Sequence, residues 1–141
     1  MHVQLPVVGA TREEEPAWAG HLRHKLAGEV RFDRLTRTLY STDASMYQIT
    51  PLGVVFPKDT GDIVTTVNEC RAAGVPMIAR GAGTGLTGGA VGTGVQIDFS
   101  RYMNRIGAFN TQARTIEVEP GVVLDELNAF LTPSGLHFAP D

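Results

Sequence analysis

The residues best suited to chemistry are concentrated in one stretch, RGAGTGLTGG, from Arg80 to Gly89. Glycine admits positive φ at little steric cost and lets main chain come close to a ligand. Successive N–H groups in a tight, partly left-handed loop form a concave nest for an anion. Arg80 adds a cation, Thr84 and Thr87 add hydroxyl donors, and Asp62 and Glu69 are the only carboxylates between positions 59 and 98. The chemistry this points to is the binding of an anion, phosphate first among them. The demand is local: Gly81, Gly83, Gly85, Gly88, Gly89, Gly92 and Gly94 all fall within fourteen positions.

Both familiar phosphate motifs fail on context. Gly83, Gly85 and Gly88 match G-x-G-x-x-G, but a dinucleotide unit needs a helix directly after its glycines to hold the pyrophosphate. Here GAVGTG intervenes, then the alternating segment from Val95, and Asp98 arrives too soon to serve as the ribose-binding acid. The Lys-Ser/Thr ending of a P-loop is missing as well. A flexible glycine-rich connection is the competing reading, and the Arg and Thr punctuation argues against it.

Other candidates are weaker. His21 and His24 lie three apart on a helical segment, but without a third ligand nearby a solvated face is the better reading than a metal site. His137 either lines a site or packs. Asp43 and Ser45 either cap a turn or approach a ligand. Cys70 reads as a small buried hydrophobe, and Asp125 and Glu126 suit the positive end of a helix dipole.

The elements that must position the glycine loop follow from periodicity. Glu14 to Ala27 reads as a helix with Trp18, Leu22 and Leu26 on one face. A short strand is expected at 30–32 and a helical turn capped by Asp33 after it. LGVVFP is a buried strand. A helix starts at Asp59 or Thr60 with Ile63, Val64, Val67 and Cys70 as its apolar stripe, and Gly74 ends it. VPMIA is the next strand, so residues 52–79 form a right-handed βαβ unit. After the loop, GVQIDFS, IGAFN and TIEVEP read as an antiparallel addition, and VVLDELNAFLTPSG as a last helix with Leu124, Leu127 and Leu131 on one side. The fold class is therefore α+β, or mixed α/β.

The bulk numbers fit a soluble domain. The chain has 141 residues, 43% of them hydrophobic and 19% charged, with net charge −3. A chain of this length buries roughly 68–70% of its unfolded surface, enough for a core. The charge balance gives no reason to expect nucleic acid. No apolar run is long enough to span a bilayer. The stretch MHVQLPVVGATREEEP does not read as a signal peptide. Cys70 alone forms no internal disulfide and no iron–sulfur cluster. A cytoplasmic setting is expected.

PKDTGDIVTTVNECRAAGVPMIARGAGTGLTGG, followed by VQIDFSRYMNRI, RTIEVEPGVVLDELNAFL and GLHFAPD, resembles the FAD-binding domain of the vanillyl-alcohol oxidase and p-cresol methylhydroxylase type. More narrowly it is similar to the FAD-linked oxidases of the glycolate oxidase and D-lactate dehydrogenase group. YSTDASMYQITPLGVVFP looks like that group's lead-in. The resemblance covers about residues 39–141, with 1–38 as a helical lead-in. It implies the N-terminal subdomain of that fold, with FAD pyrophosphate at Arg80, Gly81, Ala82, Gly83, Thr84, Gly85, Leu86, Thr87 and Gly88. It places Pro57, Pro140 and Asp141 near the cofactor too. Some members attach flavin through a His in this loop. The matching position is Thr84, so non-covalent FAD is expected. In the group the final motif continues into a second glycine-rich stretch and a substrate domain, so the chain reads as an N-terminal fragment, without catalytic residues. The implied parent takes hydride from a small 2-hydroxy acid such as glycolate or D-lactate, and a homodimer is left open. The alternative is a stand-alone nucleotide- or anion-binding module with no redox chemistry.

Overall fold

The structure is a computed structural model and describes residues 15–139. In chain order the elements are α1 (Ala17–Lys25), β1 (Glu29–Arg31), α2 (Arg34–Leu39), β2 (Gly53–Phe56), α3 (Thr60–Ala72), β3 (Met77–Arg80), β4 (Val95–Asp98), β5 (Ile106–Asn110), β6 (Thr115–Val118) and α4 (Leu124–Leu131). A short 3₁₀ turn, Thr132–Ser134, follows. Glu14, the expected start of the first helix, lies outside the described residues, and the helix begins after Pro16.

Local chemistry explains the limits of the elements. Asp33 caps α2 by accepting from Thr36 N at 2.9 Å, as its position suggested. Asp59 caps α3 the same way through Asp62 N at 2.9 Å; such a cap stabilises a helix by about 1 kcal/mol. At the other end Gly74 takes φ +66. Its N–H donates to Arg71 O and that of Val75 to Cys70 O, the paired bonds of a Schellman stop.

β1, β2, β4 and β3 form one sheet in that order. β2 and β3 both run parallel to β4, and β1 is antiparallel to β2. The β2–α3–β3 unit thus exists, but β4 is inserted between its strands. This corrects the expectation that the later strands form an antiparallel addition. Only β5 and β6 do so, as a separate hairpin. β2 and β4 are the two inner strands, and every residue of both is buried, as befits strands covered on both faces.

One face is apolar. Leu22, Val30, Val55, Cys70 and Val95 form its core, with Trp18, Leu26, Phe32, Leu52 and Val75 packed around them. Each large side chain buried there contributes about 1.5–3 kcal/mol. Leu22 and Trp18 of the lead-in therefore share a core with the sheet. The α3 stripe differs from the sequence reading. Asp62, Thr66 and Cys70 face inward, whereas Val64 and Val67 are exposed. Tertiary context rotates the helix toward Asp62, whose buried carboxylate accepts the N–H groups of Ala27 and Gly28 at 2.9 Å and of Lys58 at 2.8 Å. Three charge-assisted bonds outweigh the burial of Val64 and Val67. In α4 the expected side is found, with Leu127 and Leu131 buried.

Candidate functional site

The parallel register brings the C-terminal ends of β2, β3 and β4 to one edge of the sheet, where Pro57, Arg80 and Asp98 lie. Ligands of open α/β sheets bind outside such an edge. From Arg80 the chain returns to the start of β4 through the glycine loop, a parallel crossover without a helix. No helix starts at Gly88.

Two glycines shape this loop. Gly83 takes φ +70 and Gly88 φ +77, values that would strain any other residue. Between them the main chain is open. Thr84, Gly85, Leu86 and Thr87 are exposed, and a side-chain Cβ added at Gly85 would meet nothing within 4 Å. Among the described residues, none of the N–H groups from Ala82 to Thr87 donates a hydrogen bond within the chain. A run of unpaired donors on glycine-rich backbone suits an anionic ligand.

Arg80 serves the loop first. Its Nη1 donates to Ala90 O at 3.2 Å and to Gln96 Oε1 at 3.3 Å. Its guanidinium lies 4.9 Å from the centre of the Tyr40 ring, and Gly83 wraps so closely that a Cβ there would sit 2.6 Å from Nη2. These contacts hold the guanidinium in place. It sits under the loop as a fixed cation.

The face of the sheet beneath the loop sets buried polar groups among apolar ones such as Val54 and Phe56. Gln96 is fully buried and Asp98 nearly so. Gln96 Nε2 donates to Tyr40 O at 2.8 Å, and the Tyr40 hydroxyl donates to Asp98 Oδ2 at 2.5 Å. Burial, and then the Asp98 carboxylate, push the Tyr40 hydroxyl well above its ordinary range, so it remains a donor. Asp98 also accepts from Ser100 N and Oγ at 2.8 and 2.7 Å. Sequence reasoning missed Tyr40 and Gln96. The available signal was Gln96 itself, a polar residue in the middle of an apolar strand.

Of the two readings of Asp43 and Ser45, the structure shows the turn cap. Asp43 Oδ1 accepts from Ser45 N at 2.9 Å, which makes it a turn cap, while Oδ2 accepts from Ala90 N at 3.3 Å. Folding thus brings a carboxylate to the loop that the sequence between positions 59 and 98 does not contain. The Ser45 hydroxyl and amide, with a further contribution from Arg80, hold that carboxyl below its usual range.

The remaining candidates separate clearly. Pro57 lies at the correct edge but its side chain is buried. Pro140 and Asp141 lie outside the described residues. His21, His24 and His137 are exposed, and no cluster of metal-ligating side chains occurs among the described residues. Burial raises the Cys70 thiol to about 11, so it is an unreactive core residue. Asp125 and Glu126 occupy the first turn of α4. A hollow beside the β5–β6 turn is lined by residues such as Phe109, Thr111 and Glu117, and one beside α2 by Arg34, Arg37, Ser41 and Thr50 among others. No residue of the glycine loop lines either hollow. No helix among the described residues is long and apolar enough to cross a membrane.

With this geometry established, comparison with known proteins gives a consistent result. A D-2-hydroxyglutarate dehydrogenase from Pseudomonas putida is 42% identical over the whole chain, which spans 14% of that protein. The glycolate oxidase protein GlcD from Bacillus subtilis is 32% identical over 83% of the chain and 26% of its own length. Among solved structures, a 4-ethylphenol oxidase from Gulosibacter chungangensis superposes with TM-score 0.73 at 24% identity, over 94% of this chain and 27% of that one; this likeness speaks for the fold. Residues 51–141, including the glycine loop and the strands that carry it, match the family described as FAD binding domain, and the chain belongs to that family.

Proposed function

We propose that the loop from Arg80 to Gly88 holds the diphosphate of FAD, bound without a covalent link, and that the whole protein oxidises a small 2-hydroxy acid. The observation that carries the reading is the run of N–H groups from Ala82 to Thr87 without partners in the chain, flanked by two positive-φ glycines and underlain by Arg80. The residues fit the group. A diphosphate needs donors, a cation and close main-chain approach, and the open space around Gly85 allows that approach. When bound, FAD supplies the hydride acceptor. This chain's residues bind and orient it, with Gly81, Ala82, Leu86 and Thr87 along the loop. Thr84 offers a hydroxyl but no nucleophilic nitrogen, which supports non-covalent binding. The substrate class rests on the likeness to the 2-hydroxy acid dehydrogenases and oxidases named above.

The test is a titration of the intact protein with FAD, beside Gly85→Ala. The wild type should saturate. The variant should keep its unfolding midpoint yet bind FAD at least tenfold more weakly, because the added methyl meets only ligand. Equal affinity would remove the diphosphate from this loop. Acid precipitation should leave the pellet colourless, and a yellow pellet would refute the non-covalent link. Anaerobic addition of D-2-hydroxyglutarate, D-lactate or glycolate should bleach the flavin band of the intact holoprotein. Bleaching by none of them would refute the substrate class.

A further inference from the structure

We infer that Ser41–Gln48 is a strap that sets the shape of the glycine loop before any ligand arrives, with Asp43 as its positioning residue. The segment is closed on itself at its base. Thr42 and Gln48 form an isolated antiparallel bridge, and Ile49 N donates to Ser41 O at 2.8 Å. Its tip then grips the loop at three separated points. Ala44 N donates to Gly83 O at 2.9 Å. Asp43 Oδ2 accepts from Ala90 N at 3.3 Å. The Tyr47 ring lies over Gly88 so closely that a Cβ there would sit 2.6 Å from Cδ2.

These points matter because of what they bracket. Gly83 and Gly88 are the two residues with positive φ in the loop, and the N–H groups without partners lie next to and between them. Ala90 is held from both sides, its N–H by Asp43 and its C=O by Arg80. Strap and strand thus clamp the far end of the loop, and donors fixed in advance bind an anion without an ordering cost at the moment of binding. The strap's three contacts at its tip are all made to the loop itself. It acts through the loop.

Asp43→Asn isolates this role. The amide oxygen keeps its place against Ser45 N and Oγ, which offer two donors at 2.9 and 2.5 Å. The amide nitrogen then faces Ala90 N–H, donor against donor. Ser45→Ala does the reverse, removing one turn bond and leaving the loop contact. Amide exchange read by NMR on the ligand-free intact protein should show Ala90 and Ala44 exchanging at least tenfold faster in Asp43→Asn. Leu52, which donates to Gly94 O, should be unchanged, as should the thermal midpoint. Ser45→Ala should move Ala90 less than threefold. FAD affinity should fall about tenfold in Asp43→Asn alone.

Unchanged exchange at Ala90 in Asp43→Asn overturns the inference. So does an equal effect of Ser45→Ala, or a global loss of stability, since either makes the carboxylate a general structural element. The affinity arm rests on the FAD reading above. If the wild type binds no FAD that reading fails, while the exchange data still decide the strap.

Discussion

Gly83→Ala tests whether the loop's glycines are required by its own fold. At φ +70 an alanine costs about 1–2 kcal/mol of backbone strain. Its methyl would also sit 2.6 Å from Arg80 Nη2 and 3.0 Å from Cζ. The guanidinium is the end of a flexible side chain, so it moves and the backbone does not. Moving it breaks the bonds to Ala90 O and to Gln96 Oε1, each worth about 0.5–1.5 kcal/mol net. Gln96 is fully buried, so its oxygen has no water to turn to. The expected loss is about 2–5 kcal/mol, a large part of the roughly 5–15 kcal/mol that stabilises a domain. Urea unfolding of ligand-free protein measures it. Gly85→Ala, with open space around its Cβ, is the internal control and should lie within about 0.5 kcal/mol of wild type. A Gly83→Ala variant as stable as wild type, or a Gly85→Ala variant as weak as Gly83→Ala, refutes the reasoning.

Two further outcomes follow from charges outside the loop. Asp62→Ala leaves the N–H groups of Ala27, Gly28 and Lys58 without their acceptor and should destabilise by about 3–5 kcal/mol, read as a lowered urea midpoint at unchanged slope; a loss below about 1 kcal/mol would show that water replaces the carboxylate. The Tyr102 hydroxyl, then Arg31 and Arg101, hold the Glu29 carboxyl down at about 2 from 4.5. Because the folded value is depressed, its contribution is complete above pH 4.5 and is lost as pH falls toward 2. Glu29→Gln should therefore flatten the acid limb of stability against pH, and an unaltered limb would exclude Glu29 as its source.

The loop's character was legible from residues alone, because it depends on local rules. Glycine spacing gives positive φ, and the absence of a helix-forming run after Gly88 excludes the dinucleotide unit. The caps at Asp33 and Asp59 and the stop at Gly74 were legible for the same reason, since each is a bond within a few residues. The apolar stripe of α3 was not. Val64 and Val67 fit a helical period, but Asp62 has three distant donors waiting in the folded chain, and those decided which side faces inward.

What the sequence by itself determined is the set of elements, a glycine loop with no helix after it, and the family to which the chain belongs. Only the tertiary structure decided the order of strands, which places β4 between β2 and β3. It also decided that Arg80 braces the loop while charging it, and that Asp43, about forty residues upstream of the loop it holds, reaches Ala90. The physical reason is range. Backbone propensity and capping act between neighbours and are written in order along the chain, whereas a buried polar group takes whatever partner the packed fold delivers to it.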